Sequence, residues 1–322
     1  MKVTRVQQQA QVIPLDRAER QRKPTQEGPP VEPTPLRPPP SEEPATGLRG
    51  VVADALGFAR RRLSGDYTVD QFGFDPELTD AVLLPPLRAV YRKWFRVEVT
   101  GAENLPASGG ALVVSNHSGT LPWDALMTAV AVKDNRDRYL RMLGADLVFQ
   151  TPLLGALARK SGQTLACNPD AEHLLRSGEL VGVWPEGFKG VGKPFADRYK
   201  LQRFGRGGFV SAALRTGVPI VPCSIVGAEE IYPKIADLKP LARLLGLPYF
   251  PITPFFPLLG PLGLVPLPSK WHIHFGPPVS TEEHAAAEDD PAVVFALTDQ
   301  IRETIQQTLY RMLNQRGNPF LG

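Results

Sequence analysis

Between residues 46 and 64 the apolar positions Leu48, Val51, Val52, Ala55, Leu56 and Ala59 recur at helical spacing, ahead of Arg60, Arg61 and Arg62. That pattern predicts an amphipathic helix. A second helix is expected from Leu78 to Phe95, kinked or split at Pro85 and Pro86, because each proline removes a backbone donor and crowds the preceding turn. From residue 97 the period alternates. Short β-rich runs stand at Val97–Thr100, Ala111–Ser115, Tyr139–Leu143, Gln163–Cys167, Leu180–Trp184, Ile220–Val226 and Trp271–Phe275. Helical spacing returns near 123–133, 169–177 and 205–216, and over Pro291 to Gln315 one stripe carries Val294, Leu297, Ile301, Ile305, Leu309 and Met312. Strands alternating with helices predict an α/β fold, a sheet flanked by helices. The runs ALVVS and LVGVW are apolar at consecutive positions and are expected to be central strands.

Two stretches break the pattern. Nine prolines fall between Pro24 and Pro44, among Arg, Glu and Gln. Such a segment cannot bury enough apolar surface to offset chain entropy, so residues 1–45 are expected to be a disordered proline-rich arm. The organisation is then 1–45 arm, 46–96 N-terminal helices and 97–322 α/β domain. The second stretch, Leu244 to Ser269, holds no charged residue but seven prolines. A proline inside a helix costs about 3 kcal/mol or more, and lipid offers nothing to the freed carbonyls, so a spanning helix is rejected. Two readings stay open: a loop packed on the protein's own surface, or an apolar flap that touches lipid or lines an acyl channel. The end of the second helix is similarly double. Tyr91, Trp94 and Phe95 mixed with Arg88, Arg92, Lys93 and Arg96 suit a membrane interface, and equally an amphipathic helix packed on the core.

Composition removes other classes. Hydrophobic residues at 43% and charged residues at 21% describe an ordinary globular chain rather than a disordered or many-span one. A net charge of +3 gives no argument for nucleic acid. Two cysteines, Cys167 and Cys223, exclude a disulfide framework. No apolar signal core stands near the N-terminus, and the expected location is cytoplasmic, peripheral on a membrane.

Candidate chemistry sits at two strand ends. After ALVVS the chain reads Asn116-His117-Ser118-Gly119-Thr120-Leu121-Pro122-Trp123-Asp124. A neutral imidazole can accept a hydroxyl proton near physiological pH, and a carboxylate within reach can fix its tautomer. Gly119 lets backbone approach a substrate closely, and Ser118 beside it is a candidate substrate-binding residue. The alternative is that Asp124 caps the next helix and His117 bonds backbone. After LVGVW come Pro185-Glu186-Gly187-Phe188-Lys189-Gly190, then Lys193, Arg198, Lys200, Arg203 and Arg206. Glu186, Gly187 and Lys189 at a strand end could hold a polar ligand. Lys193, Arg203 and Arg206 are candidate anion ligands, or members of a solvated loop. No Gly-x-Ser-x-Gly elbow supports a serine nucleophile. His272 and His274 lack the companion ligands of a metal site, so no metal is expected.

These motifs, in this order, resemble the phospholipid/glycerol acyltransferase superfamily over about residues 90–280. Asn116-His117 through Asp124 is similar to its His…Asp block. Gly162-Gln163-Thr164-Leu165-Ala166-Cys167-Asn168 stands where the second block belongs. Trp184-Pro185-Glu186-Gly187-Phe188-Lys189 is similar to the Pro-Glu-Gly-x-Arg block, and Val218-Pro219-Ile220-Val221-Pro222 to the last. The resemblance implies a mixed sheet flanked by helices. It also implies an O-acyltransferase in which His117 is the general base, Asp124 orients it, and Glu186 and Gly187 shape the acceptor site. No bound cofactor follows; acyl-CoA or acyl-carrier protein is the co-substrate, and the partners are a lipid acceptor and a membrane surface. Three departures stand out: six residues between His117 and Asp124 where the family has four, Lys189 in place of arginine, and Asn168 in place of arginine. With two phosphate ligands weakened, the pattern resembles more closely the monoacylglycerol/diacylglycerol acyltransferase-like branch, although the basic run after Lys189 keeps an anionic acceptor open. The altered spacing also supports an alternative, a non-catalytic lipid-binding protein on the same scaffold. A thioesterase-like hydrolase is the third reading.

Overall fold

A computed structural model describes residues 48–118, 120–288 and 290–320. The arm expected over 1–45 and the candidate Gly119 lie outside the described residues. Contacts divide the chain between Ser64 and Gly65. Helix α1 (Leu48–Ser64), the first one expected, lies in the N-terminal unit. Everything else described belongs to the unit 65–322.

In that unit a helical rod over residues 76–94 (α2) comes first. Asp75 opens it, accepting the Leu78 N–H at 3.0 Å, with Pro76 at the first helical position, where no donor is needed. Pro85 and Pro86 neither break nor sharply split the rod. A wide turn precedes them, in which the Leu84 N–H reaches back to the Thr79 carbonyl, and a second closes the rod with Phe95 N–H on Val90 O at 2.9 Å. Such widened turns absorb a missing donor without ending the helix.

Seven strands form one sheet: β1 (Glu98–Thr100), β2 (Ala111–Ser115), β3 (Leu140–Gly144), β4 (Thr164–Leu165), β5 (Leu180–Val183), β6 (Ile220–Val226) and β9 (His272–Phe275). Between the last two, β7 (Ala236–Asp237) and β8 (Pro251–Ile252) make a separate antiparallel pair. The main sheet runs β1-β9-β6-β2-β5-β3-β4. From β6 to β4 all neighbours are parallel; β9 is antiparallel to β6 and parallel to β1, so the sheet is mixed. Pro222 sits inside β6, where a proline would ordinarily remove a ladder bond. It is accommodated at a break in the antiparallel pairing, between Cys223–Phe275 and the Ile220–Val279 bridge, where only its carbonyl is used, accepting the Gly276 N–H at 2.8 Å.

The remaining helices are α3 (Trp123–Arg136), α4 (Asp146–Gln150), α5 (Leu154–Lys160), α6 (Asn168–Arg176), α7 (Phe188–Val191), α8 (Gly208–Thr216), α9 (Lys239–Leu244) and α10 (Pro291–Gln315). They cover both faces of the sheet. Ala111 and Val113 of β2 point into a core shared with Leu84, Tyr91 and Phe95 of the α2 region and Met127 and Val130 of α3. Leu112 and Val114 point the opposite way, against Leu174, Val210, Ala213 and the α10 stripe Val294, Leu297, Ile301, Ile305 and Leu309. Strand periodicity of two thus feeds both cores, which is why β2 reads as continuously apolar.

The sequence boundary at 96/97 differs from the observed one because α2 is part of the sheet unit's core. Phe95 is fully buried and stacks on Trp271 with ring centroids 4.4 Å apart. Its basic neighbours are also turned to the protein: Arg88 Nε and Arg92 Nη2 donate to the two oxygens of Asp134 on α3 at 2.7 and 2.9 Å. A buried arginine that the sequence reading passed over does similar work at β3. Arg141 donates to Asp70 Oδ2 at 2.6 Å and to the Gly162 carbonyl at 3.1 Å, tying the segment before α2 to the sheet.

Candidate active site

Three neighbouring parallel strands, β6, β2 and β5, end on the same edge of the sheet. Their C-terminal continuations are Gly227–Glu230, Asn116–Pro122 and Trp184–Gly187, so side chains far apart in sequence meet there, as ligands do at the carboxyl ends of strands in open α/β sheets. Asn116 fixes the middle loop. Its amide donates to Ile225 O at 3.0 Å and accepts the Ile225 N–H at 2.8 Å, clamping the end of β2 to β6.

The next residue, His117, places Nδ1 2.7 Å from Oδ2 of Asp124. Asp124 is fully buried at the first turn of α3, and its two oxygens also accept the N–H groups of Ser118 (2.9 Å) and Ala125 (2.9 Å). A carboxylate only accepts, so Nδ1 is the donor in this contact, and in a neutral imidazole so held the lone pair is on Nε2. The six intervening residues do not hold the pair apart. The chain turns at Leu121-Pro122, where the Trp123 N–H closes on Leu121 O at 2.8 Å, and this takes up extra length before α3 begins.

Glu186 supports the same loop from the other strand. Its Oε1 accepts the His117 backbone N–H at 2.9 Å, and its Oε2 accepts Gln202 N–H at 2.7 Å. Gly187 adopts φ 54°, ψ −142°, a conformation open to glycine. Gly190 packs so closely that a Cβ there would lie 2.8 Å from Glu186 Cβ and 2.9 Å from His117 Cβ. The short helix α7 therefore presses its backbone onto the histidine.

Lys193 was expected among the anion ligands and is instead enclosed. Its Nζ stands 3.3 Å from Glu186 Oε2 and 3.1 Å from Glu229 Oε1, with 4% of the side chain exposed. Two carboxylates already neutralise this ammonium, so no anion from solution is held there. Burial pushes the Glu229 carboxyl up to about 7, against the opposing pull of Lys193. Sequence reading missed this cluster because Lys193 sat within a basic run and its partner lies 36 residues away. The available signal was the acidic pair Glu229-Glu230 directly after an apolar strand.

Of the other candidates, Lys189 is exposed on α7, and Arg206 is exposed ahead of α8. Arg203 lines a cleft of about 340 Å³ beside α10 with Asp299 and Arg302. Ser118 contributes its backbone N–H to Asp124, while its hydroxyl is buried and meets no partner among the described residues. Cys167 lies at the start of α6 rather than inside β4, and burial raises its thiol. His272 and His274 turn to Glu98 and Thr100, at 3.2 and 2.9 Å. A cleft of about 460 Å³ opens beside α7, lined by Leu147, Gln150, Leu165, Phe188, Leu247 and Pro248.

Residues 96–226, which contain His117, Asp124 and Glu186, match the family model described as Acyltransferase. This segment belongs to the acyltransferase family. This acyltransferase is 63% identical over 278 residues to an uncharacterized protein of Mycobacterium tuberculosis, spanning 85% of this chain and 78% of the relative. It is 26% identical over 229 residues to the human "DGAT1/2-independent enzyme synthesizing storage lipids", 70% of this chain and 64% of that one. Its fold is shared by the 1-acyl-sn-glycerophosphate acyltransferase PlsC of Thermotoga maritima, with a TM-score of 0.50, 18% identity, and coverage of 83% of this chain and 90% of that one.

Proposed function

We propose that this acyltransferase moves a fatty acyl group from a thioester, acyl-CoA or acyl-carrier protein, to a hydroxyl of a glycerolipid at a membrane surface. His117 is the general base. The observation that carries the reading is the 2.7 Å contact between His117 Nδ1 and the buried Asp124, which leaves Nε2 free to accept a proton. In the forward step Nε2 takes the acceptor's hydroxyl proton as the oxygen forms a bond to the thioester carbonyl carbon. The tetrahedral intermediate collapses with cleavage of the C–S bond, and the departing thiolate receives the proton back from the imidazolium. An ester and a free thiol result, with no net proton released. Asp124 stabilises the transient imidazolium across its short hydrogen bond. Glu186 holds the loop that carries the histidine, and Gly187 lets the acceptor approach the backbone.

The closed His117–Asp124 pair supports the catalytic reading over a non-catalytic scaffold. Lys189 offers one point charge in place of an arginine fork, and Lys193 is already spent on two carboxylates. Both features favour a neutral acceptor over a phosphate-bearing one. An acceptor panel tests this: lysophosphatidate, other lysophospholipids, monoacylglycerol, diacylglycerol and a long-chain alcohol, each with labelled acyl-CoA and labelled acyl-carrier protein. Labelled lipid should form with monoacylglycerol or diacylglycerol in preference to lysophosphatidate. A preference for lysophosphatidate would overturn the acceptor assignment, and no labelled lipid with any pair would overturn the reading itself.

A further inference from the structure

We infer that the proline-rich segment 253–265 is the surface by which this protein docks on an anionic lipid bilayer, an inference that rests on the proposed lipid acceptor. Apart from one short 3-10 helix at Gly260–Leu264, the segment is irregular backbone on the protein's surface. Backbone bonds close it into a compact loop: Thr253 N–H on Phe256 O (2.8 Å), Leu259 N–H on Phe255 O (2.8 Å) and Val265 N–H on Leu262 O (3.1 Å). Gly263 packs against the chain at Phe255 and Phe256, where a Cβ would come within 2.5 Å of Phe255 O. The loop thus has a defined shape, yet it turns its leucines at 258, 259 and 262 outward. Leu258 is 82% exposed and Leu262 73%, with Leu259, Val265 and Phe255 also exposed. A pre-shaped loop displaying this much apolar surface marks an interaction site.

Charge selects the occupant. No acidic residue occurs from 238 to 270, and the exposed Lys239 and Arg243 of α9 precede the apolar loop. An apolar loop in a stretch of chain that carries exposed basic residues and no acidic one complements anionic headgroups over an acyl layer. The connection to the reaction is direct. Tyr249, just before the loop, donates its hydroxyl to the carbonyl of Thr120 at 2.6 Å, inside the loop that carries His117. Docking through 253–265 would therefore bring the acceptor's own phase to the edge of the candidate site. The aromatic-basic end of α2 shows less of this: Tyr91 and Phe95 are buried, Arg88 and Arg92 are engaged by Asp134, and Trp94, though 40% exposed, donates its indole N–H to Pro266 O at 2.9 Å.

The test is flotation of the full chain with vesicles of three parts phosphatidylcholine to one part phosphatidylglycerol, without substrate. Three proteins are compared: wild type, Leu258→Ser/Leu262→Ser, and Lys93→Ser on α2. The two leucines are exposed, so their replacement should leave the melting curve in place. Wild type and Lys93→Ser should float, and the double variant should partition at least about tenfold less. A double variant that floats like wild type, or a wild type that stays at the bottom of the gradient, would overturn the proposal. So would a lipid-free dimer of wild type that the double substitution disperses, since the occupant would then be a second copy. Turnover of wild type on a detergent-dispersed acceptor is read separately, so failure of acyl transfer and failure of docking are told apart.

Discussion

His117→Ala should lower kcat/KM for acyl transfer by about 10²–10⁴-fold, the usual worth of a positioned general base, with the fold intact. Among the described residues the side chain has a single hydrogen bond to lose, the one to Asp124. Removing it strands no buried group, because the Asp124 oxygens keep the N–H groups of Ser118 and Ala125. Circular dichroism and the melting temperature should therefore stay close to wild type. Loss of activity with unchanged binding of the thioester would assign the deficit to chemistry. An unaltered kcat/KM would remove His117 from the reaction.

The second large effect concerns stability. Lys193→Met leaves Glu186 and Glu229 facing each other in a buried site without their shared ammonium. Breaking a buried pair by deleting one partner costs about 3–5 kcal/mol, a fall in Tm on the order of 10 °C for a unit of this size. The loss should depend on pH, with a sign fixed by Glu229. Its carboxyl is raised from 4.5 to about 7 by burial, while Lys193 pulls it down. Removing the lysine raises it further. A raised carboxyl holds a proton in the folded state that the unfolded chain releases, so stability declines as pH rises through that window. Lys193→Met should thus be least damaged near pH 5 and most damaged above pH 7. Denaturant melts across that range would show it; a deficit that does not change with pH would mean the carboxylates find other partners. Because Glu186 also holds the His117 N–H, activity should fall along with stability.

The site's location was legible because its residues follow apolar runs whose ends are sharp. Ala111–Ser115 and Ile220–Val226 fold as read, and so does the stripe of Pro291–Gln315, where each apolar residue has a core to enter. Edges were harder. Gln163–Cys167 shrinks to Thr164–Leu165, since β4 has a neighbour on one side only and Cys167 turns into α6. Helices of four to seven residues such as α4, α5, α7 and α9 are too short to show a period, and α7 matters most because Gly190 packs on His117. The His117–Asp124 pair could be named from sequence, but not its distance, which depends on how Leu121-Pro122 turns. The meeting of Glu186, Lys193 and Glu229 was not legible, the acidic pair Glu229-Glu230 after β6 being its one local sign. It exists because β5 and β6 both flank β2, and that adjacency is a property of strand order rather than of any local pattern.

The central claim is transfer of an acyl group from a thioester to a lipid hydroxyl, and simultaneous measurement of both products tests it most directly. Purified protein, labelled acyl-CoA and diacylglycerol would be incubated together while free thiol and labelled lipid are followed in time. The account predicts that thiol and acylated lipid rise in step, mole for mole. Thiol release with the label recovered as free fatty acid, the acceptor untouched, would contradict it and make the protein a hydrolase.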